Sequence, residues 1–173
     1  MSDRRSPERT RRLLLHGTED AVGRCRDFTR RALTEWQWLP ETDSASGPSY
    51  GPADEDESAE AADDVLLLVS EVVANACMHT SGPVCLLLHC TPERLRIEVT
   101  DPSPVMPLYR FPADPARPGG HGLLIVERLA GAWGADPVDG GKCVWVEVIT
   151  PRALRGTPRL PSHPPAFPSG ASP

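Results

Sequence analysis

Between Ser58 and Thr80 the chain carries two stripes at helical spacing, and they constrain its fold more than any other segment. Val65, Val69, Val72 and Ala76 recur at the three- and four-residue steps of a core-facing helix. Glu71, Asn75 and His79 stand four apart on the other side. Four residues advance a helix by a little over one turn, so these three form a slowly drifting polar stripe. Such a stripe on an otherwise apolar helix costs desolvation unless water, a ligand or a metal satisfies it.

The 173 residues suffice for one domain with a hydrophobic core plus tails. Proline occurs 20 times, about twice average usage, and this excess belongs in loops and tails, so the ordered core is smaller than the length suggests. A net charge of -6 argues against binding to a phosphate backbone. The arginines at 4, 5, 9, 11 and 12 soften that only locally, and no stacking aromatics accompany them. No direct nucleic-acid role is expected. Cys25, Cys77, Cys85, Cys90 and Cys143 form no Cys-x-x-Cys pair and lie in apolar helix or strand patterns, where free cysteine acts as a small hydrophobe. No apolar run reaches the length of a membrane span and no leader pattern precedes the domain. A reducing, cytoplasmic setting without a membrane is the expectation.

Residues 1–10 read as a loose N-terminus, and Arg11 to His16 as a short strand. A first helix is expected over Glu19–Trp38, ended by Pro40. The acidic, Ser-, Gly- and Pro-rich stretch 41–58 reads as a flexible insertion. The second helix, 58–80, is stopped by Gly82-Pro83. Val84–Cys90 and Leu95–Thr100 read as adjacent antiparallel strands, with Asp101 at the end of the second. The proline-broken segment 102–118 reads as a loop, and Gly119-Gly120-His121-Gly122 opens a third helix to about Trp133. Asp139-Gly140-Gly141-Lys142 resembles a hairpin turn leading into a last strand, Cys143–Ile149. The proline-rich tail 151–173 is expected to be disordered.

This order predicts a two-layer α+β sandwich, with helices on one face of a mixed, mostly antiparallel sheet. Leu67, Val69, Val72, Ile97, Val99, Ile125, Leu129, Val144 and Val146 are the expected core, with Trp133 and Trp145 at its edge.

Three separated elements carry chemistry. Glu71 could orient or deprotonate an attacking group, and the amide oxygen of Asn75 suits a hard cation such as Mg²⁺. Asp101 could accept a hydrogen bond from an exocyclic amine. The glycines at 119, 120 and 122 would let backbone N–H groups approach an anion at a helix N-terminus. A nucleotide triphosphate with Mg²⁺ would use all three. Each also has a plain reading: a tight glycine turn, an Asp-Pro turn former, a histidine favoured by the helix dipole.

Glu71-x-x-x-Asn75-Ala76-x-x-His79-Thr80, then Asp101, then Gly120-His121-Gly122-Leu123, resembles the N, G1 and G2 boxes of the GHKL ATPase superfamily. With Trp133-Gly134 and Gly141-Lys142-x-Val144-Trp145 downstream, the short form resembles actinobacterial regulators related to anti-sigma-factor serine/threonine kinases. The resemblance covers residues 11–150 and implies the Bergerat ATP-binding fold, with ATP and Mg²⁺ as ligands. It implies that Asn75 holds Mg²⁺ and Glu71 is the catalytic base. It further implies that Asp101 binds the adenine amino group, and that Gly120, His121, Gly122 and Leu123 belong to the phosphate cradle. His79 completes the first box. The partners it implies are a sigma factor and a small antagonist protein that is phosphorylated, and a homodimer is compatible with it. The alternative is a non-catalytic, nucleotide-gated binding module on the same fold. One departure is plain: where the resembling pattern has Asp-x-Gly-x-Gly, this chain has Asp101-Pro102-Ser103-Pro104.

Overall fold

The computed structural model describes residues 9–16, 19–36, 38, 52–107 and 121–150. Five strands and three helices follow in the order β1 (Arg9–Leu14), α1 (Ala21–Glu35), α2 (Pro52–His79), β2 (Cys85–Cys90), β3 (Arg94–Asp101), α3 (His121–Leu129), β4 (Ala132–Val138) and β5 (Gly141–Ile149). The strands form one sheet in the order β1-β2-β3-β5-β4, and each of its four pairings is antiparallel. All three helices pack into one layer. The long α2 is its centre, touching α1 on one side, α3 on the other, and β3 and β5 beneath. This is the expected two-layer α+β sandwich.

Alternation along the strands divides the sheet into two unlike faces. Leu95, Ile97, Val99 and Asp101 of β3 are buried on the helix side, and the register sets Val146 and Val148 of β5 beside them. Val65, Leu68, Val69, Val72 and Val73 of α2 close the core from above, each no more than 4% exposed. The face away from the helices carries charge. Arg96 bonds Glu98 at 2.6 Å and Glu147 at 3.0 Å and lies 4.3 Å above the Trp145 ring, an arrangement that suits a solvated sheet surface. The hydrogen bond from Arg96, reinforced by Arg94, holds the Glu147 carboxyl below its ordinary range.

Several expectations shift. β1 starts at Arg9, inside the stretch read as loose, and α1 is shorter than expected at both ends. α2 begins at Pro52, so residues 52–58 of the segment read as a flexible insertion are helical. Proline at a first helical position gives up an N–H that has no partner there anyway. Ala and Glu, both strong helix formers, make up seven of the twelve residues 53–64, and Asp makes up four, a residue favoured near helix N-termini. Residues 41–51, and the tail 151–173, lie outside the described residues. α3 stops at Leu129, and Ala132–Val138, partly assigned to that helix by periodicity, is instead strand β4. Gly134, Asp136 and Pro137 are poor strand formers, yet β4 is the outermost strand, where a missing N–H costs no ladder bond. Gly134 is required there because a Cβ at that position would stand 2.6 Å from the Trp145 ring.

Among the expected core residues, Val69, Val72, Ile97, Val99 and Val146 are buried, while Leu129 and Val144 pack partly buried against them. Ile125 is half-buried. Leu67 is not core: it is 38% exposed, because in the unbroken run Val65–Val69 only one helical phase can face the sheet. Trp133 packs against the core, but Trp145 lies on the open face beneath Arg96. No disulfide joins the described cysteines, and burial pushes the Cys25 thiol up to about 12. Leu68→Ala should therefore cost about 2–5 kcal/mol in urea denaturation. Its neighbour Leu67→Ala should stay within about 0.5 kcal/mol of wild type.

Candidate functional site

The last two turns of α2 carry the polar stripe. Glu71 and Asn75 are half-buried and His79 is exposed, while Val69, Val72, Val73 and Ala76 turn into the core. None of the three polar side chains makes a hydrogen bond or ion pair with a described residue, so all remain available to a ligand. The helix is then closed off by its own next residue. The Thr80 hydroxyl donates to the Ala76 carbonyl at 2.6 Å and accepts from the Gly82 N–H at 3.0 Å. Gly82 has φ 110°, a conformation that favours glycine, and the chain turns there toward β2.

That turn determines which end of the sandwich the stripe occupies. Val84 donates its N–H to the Thr100 carbonyl at 2.7 Å, and Cys85 pairs with Thr100. The C-terminal end of α2 therefore lies at the same end of the molecule as the close of β3. Asp101 is the last residue of β3 and continues its helix-facing series, so a carboxylate occupies a core-side position. It is 2% exposed.

An isolated buried carboxylate would be strongly disfavoured. Here Asp101 Oδ1 accepts from Lys142 Nζ at 2.8 Å and from the Ser103 backbone N–H at 2.9 Å. Lys142 stands opposite Asp101 in the β3–β5 register and also donates to the Ser103 carbonyl at 3.2 Å. Gly141 makes the approach possible, since a Cβ there would come 2.0 Å from the Asp101 carbonyl oxygen. Both bonds fall on Oδ1, and Oδ2 has no partner among the described residues.

The two elements that sequence reasoning assigned here, the α2 stripe and Asp101, thus share one end of the fold. The glycine element is only partly visible. His121, Gly122 and Leu123 form the first turn of α3 by their backbone, and Gly120 lies outside the described residues. Lys142 was missed as a site residue, although a signal existed. In Lys142-x-Val144-x-Val146-x-Val148 the lysine keeps phase with the inward-facing valines, so it must meet a partner. Among the described residues no group of His, Cys, Asp and Glu side chains could by itself hold a metal, and no helix is long and apolar enough to cross a membrane.

The Asp101–Lys142 pair should be strongly coupled. Lys142→Met alone, which strands a buried carboxylate, should cost about 3–5 kcal/mol, and the double variant D101N/K142M should lie much closer to wild type. Urea denaturation of the four proteins tests this.

Compared with known proteins, residues 50–148, more than half of the chain, match the family of the histidine kinase-like ATPase domain. No curated protein matches the chain.

Proposed function

The chain belongs to the histidine kinase-like ATPase domain family, and on that premise we propose that it is an ATP- and Mg²⁺-dependent serine/threonine protein kinase of the anti-sigma type. ATP binding, with Mg²⁺ as its usual companion, follows from the family. The finer reading is supported above all by one observation: Glu71 and Asn75 lie one turn apart on α2, half-buried and unengaged by described side chains.

In this reading ATP supplies the transferable phosphoryl group, and Mg²⁺ neutralises the charge of its phosphates. The residues of the chain do the rest. The Asn75 amide oxygen is a hard donor suited to Mg²⁺. Asp101 Oδ2 receives the exocyclic amine of the base. The backbone at the start of α3, His121, Gly122 and Leu123, offers the N–H groups of a helix N-terminus to the phosphates. Glu71 takes the proton of an attacking serine or threonine hydroxyl as its oxygen bonds to phosphorus and ADP leaves. The substrate is a small antagonist protein, and a sigma factor is the competing partner. His79, exposed at the helix end, lies on the rim of the site.

A second reading, a nucleotide-gated binding module without phosphoryl transfer, is favoured by the loop after Asp101. Pro102 and Pro104 flank a Ser103 whose N–H and carbonyl are both tied down. A loop so restrained would resist the rearrangement that closes a site over its substrate.

Calorimetry and a phosphotransfer assay separate the two. Asn75→Ala should weaken Mg²⁺-dependent ATP binding by roughly 10–100-fold. Glu71→Ala should leave ATP binding largely intact and reduce transfer to the antagonist protein by roughly 10²–10⁴-fold. Transfer undiminished in Glu71→Ala would remove Glu71 as the base. Wild-type protein that binds ATP and alters its partner affinity, yet transfers nothing, would establish the second reading.

A further inference from the structure

Lys142 has no part in the reading above, yet it is 6% exposed and its ammonium meets the carboxylate assigned to the base. Burying a lysine is expensive and is sustained by specific partners. Those partners are Asp101 Oδ1 at 2.8 Å and the Ser103 carbonyl at 3.2 Å, while the Ser103 N–H reaches the same Oδ1 at 2.9 Å. Two groups that can only donate therefore converge on one oxygen. Whatever atom occupies the Oδ1 position must accept, which leaves the other terminal atom of residue 101 as the one without a bond to a described residue.

We propose that Lys142 is a positioning residue for base recognition: by clamping Oδ1 of Asp101 it presents Oδ2 as an acceptor, so the site selects a 6-aminopurine nucleotide over a 6-oxopurine one. This rests on the assignment of Asp101 to the base in the preceding subsection. An exocyclic amine donates to Oδ2. A 6-oxo group would set a second acceptor against an anionic oxygen and leave both unsatisfied.

The clamp makes an unusual demand on an amide at position 101. In Asp101→Asn the Lys142 ammonium and the Ser103 N–H still require an acceptor, so the amide oxygen must take the Oδ1 place. Its NH₂ then points at the ligand. The acceptor becomes a donor, and the preference should invert toward the 6-oxo base. Removing Lys142 as well releases the amide to turn over, and the inverted preference should fade.

The test is calorimetric titration of ATP and inosine triphosphate, with Mg²⁺, into wild type, D101N, K142M and D101N/K142M. Wild type should prefer ATP by roughly tenfold or more. D101N should prefer the inosine nucleotide by several-fold, and the double variant should bring the ratio of the two affinities toward one. The decisive comparison is between D101N and the double variant, neither of which leaves a carboxylate stranded, so it stands even if K142M does not fold. If Lys142 only supports the structure, both nucleotides weaken in parallel between those two variants and the ratio is unchanged, which overturns the proposal. An uninverted preference in D101N overturns it as well. Wild type that binds neither nucleotide overturns the assignment of Asp101 itself, a failure distinct from the others because it precedes any substitution.

Discussion

A carboxylate on the core face of a sheet needs a cation close by, and the meeting of Asp101 with Lys142 supplies one at the only register that allows it. Asp101 ends the inward series of β3 and Lys142 begins the inward series of β5, directly opposite. A one-residue slip of β5 would turn the lysine to the open face and strand the carboxylate among apolar neighbours. The pair therefore enforces the same strand register that buries Val146 and Val148, and the polar site and the apolar core agree on one alignment.

Other features follow from that meeting. The two strand ends approach so closely that position 141 accommodates no side chain, which accounts for one glycine of the hairpin. The other, Gly140, has φ 79° and supplies the positive backbone angle of the turn. The strand that enters this hairpin is β4, whose Gly134 leaves room for the Trp145 ring of β5, and the indole N–H donates to Asp136 at 2.9 Å. An edge strand with weak propensity is held by this contact and by its full pairing with β5.

Much of this was legible from residue pattern alone, because burial is periodic and periodicity is visible. The stripe on α2, the alternation of β2, β3 and β5, and the place of Asp101 at a strand end all follow from spacing. What was not legible had local reasons. The start of α2 is written in acidic residues and alanines, which disorder and helix share, so composition could not separate them. β4 lacks β-branched residues except at its last position, Val138, and its Trp and Ala continue the helical pattern of α3. Leu67 sits in an apolar run that any window would bury. Lys142 shares the phase of the inward valines, but it also directly follows a Gly-Gly turn, and a lysine beside a turn is ordinarily solvated.

Where the resembling pattern has glycines after Asp101 this chain has prolines, which remove N–H donors and fix φ. In the fold the same residues look like a different solution to the same mechanical need. Ser103 uses every polar group it has: its N–H donates to Asp101 at 2.9 Å, its hydroxyl accepts from the Val105 N–H at 3.3 Å, and its carbonyl accepts from Lys142 at 3.2 Å. Flanking prolines restrict the unfolded loop, so less conformational entropy is lost when these three bonds form. Glycines at these positions would give backbone freedom beside Asp101; Pro-Ser-Pro with a buried lysine gives a fixed edge instead. The consequence is a trade between adaptability and preorganisation. The Asp101 carboxylate is oriented by Lys142 and Ser103 before any ligand arrives, so the base contact proposed for it would lose little to ordering at that end.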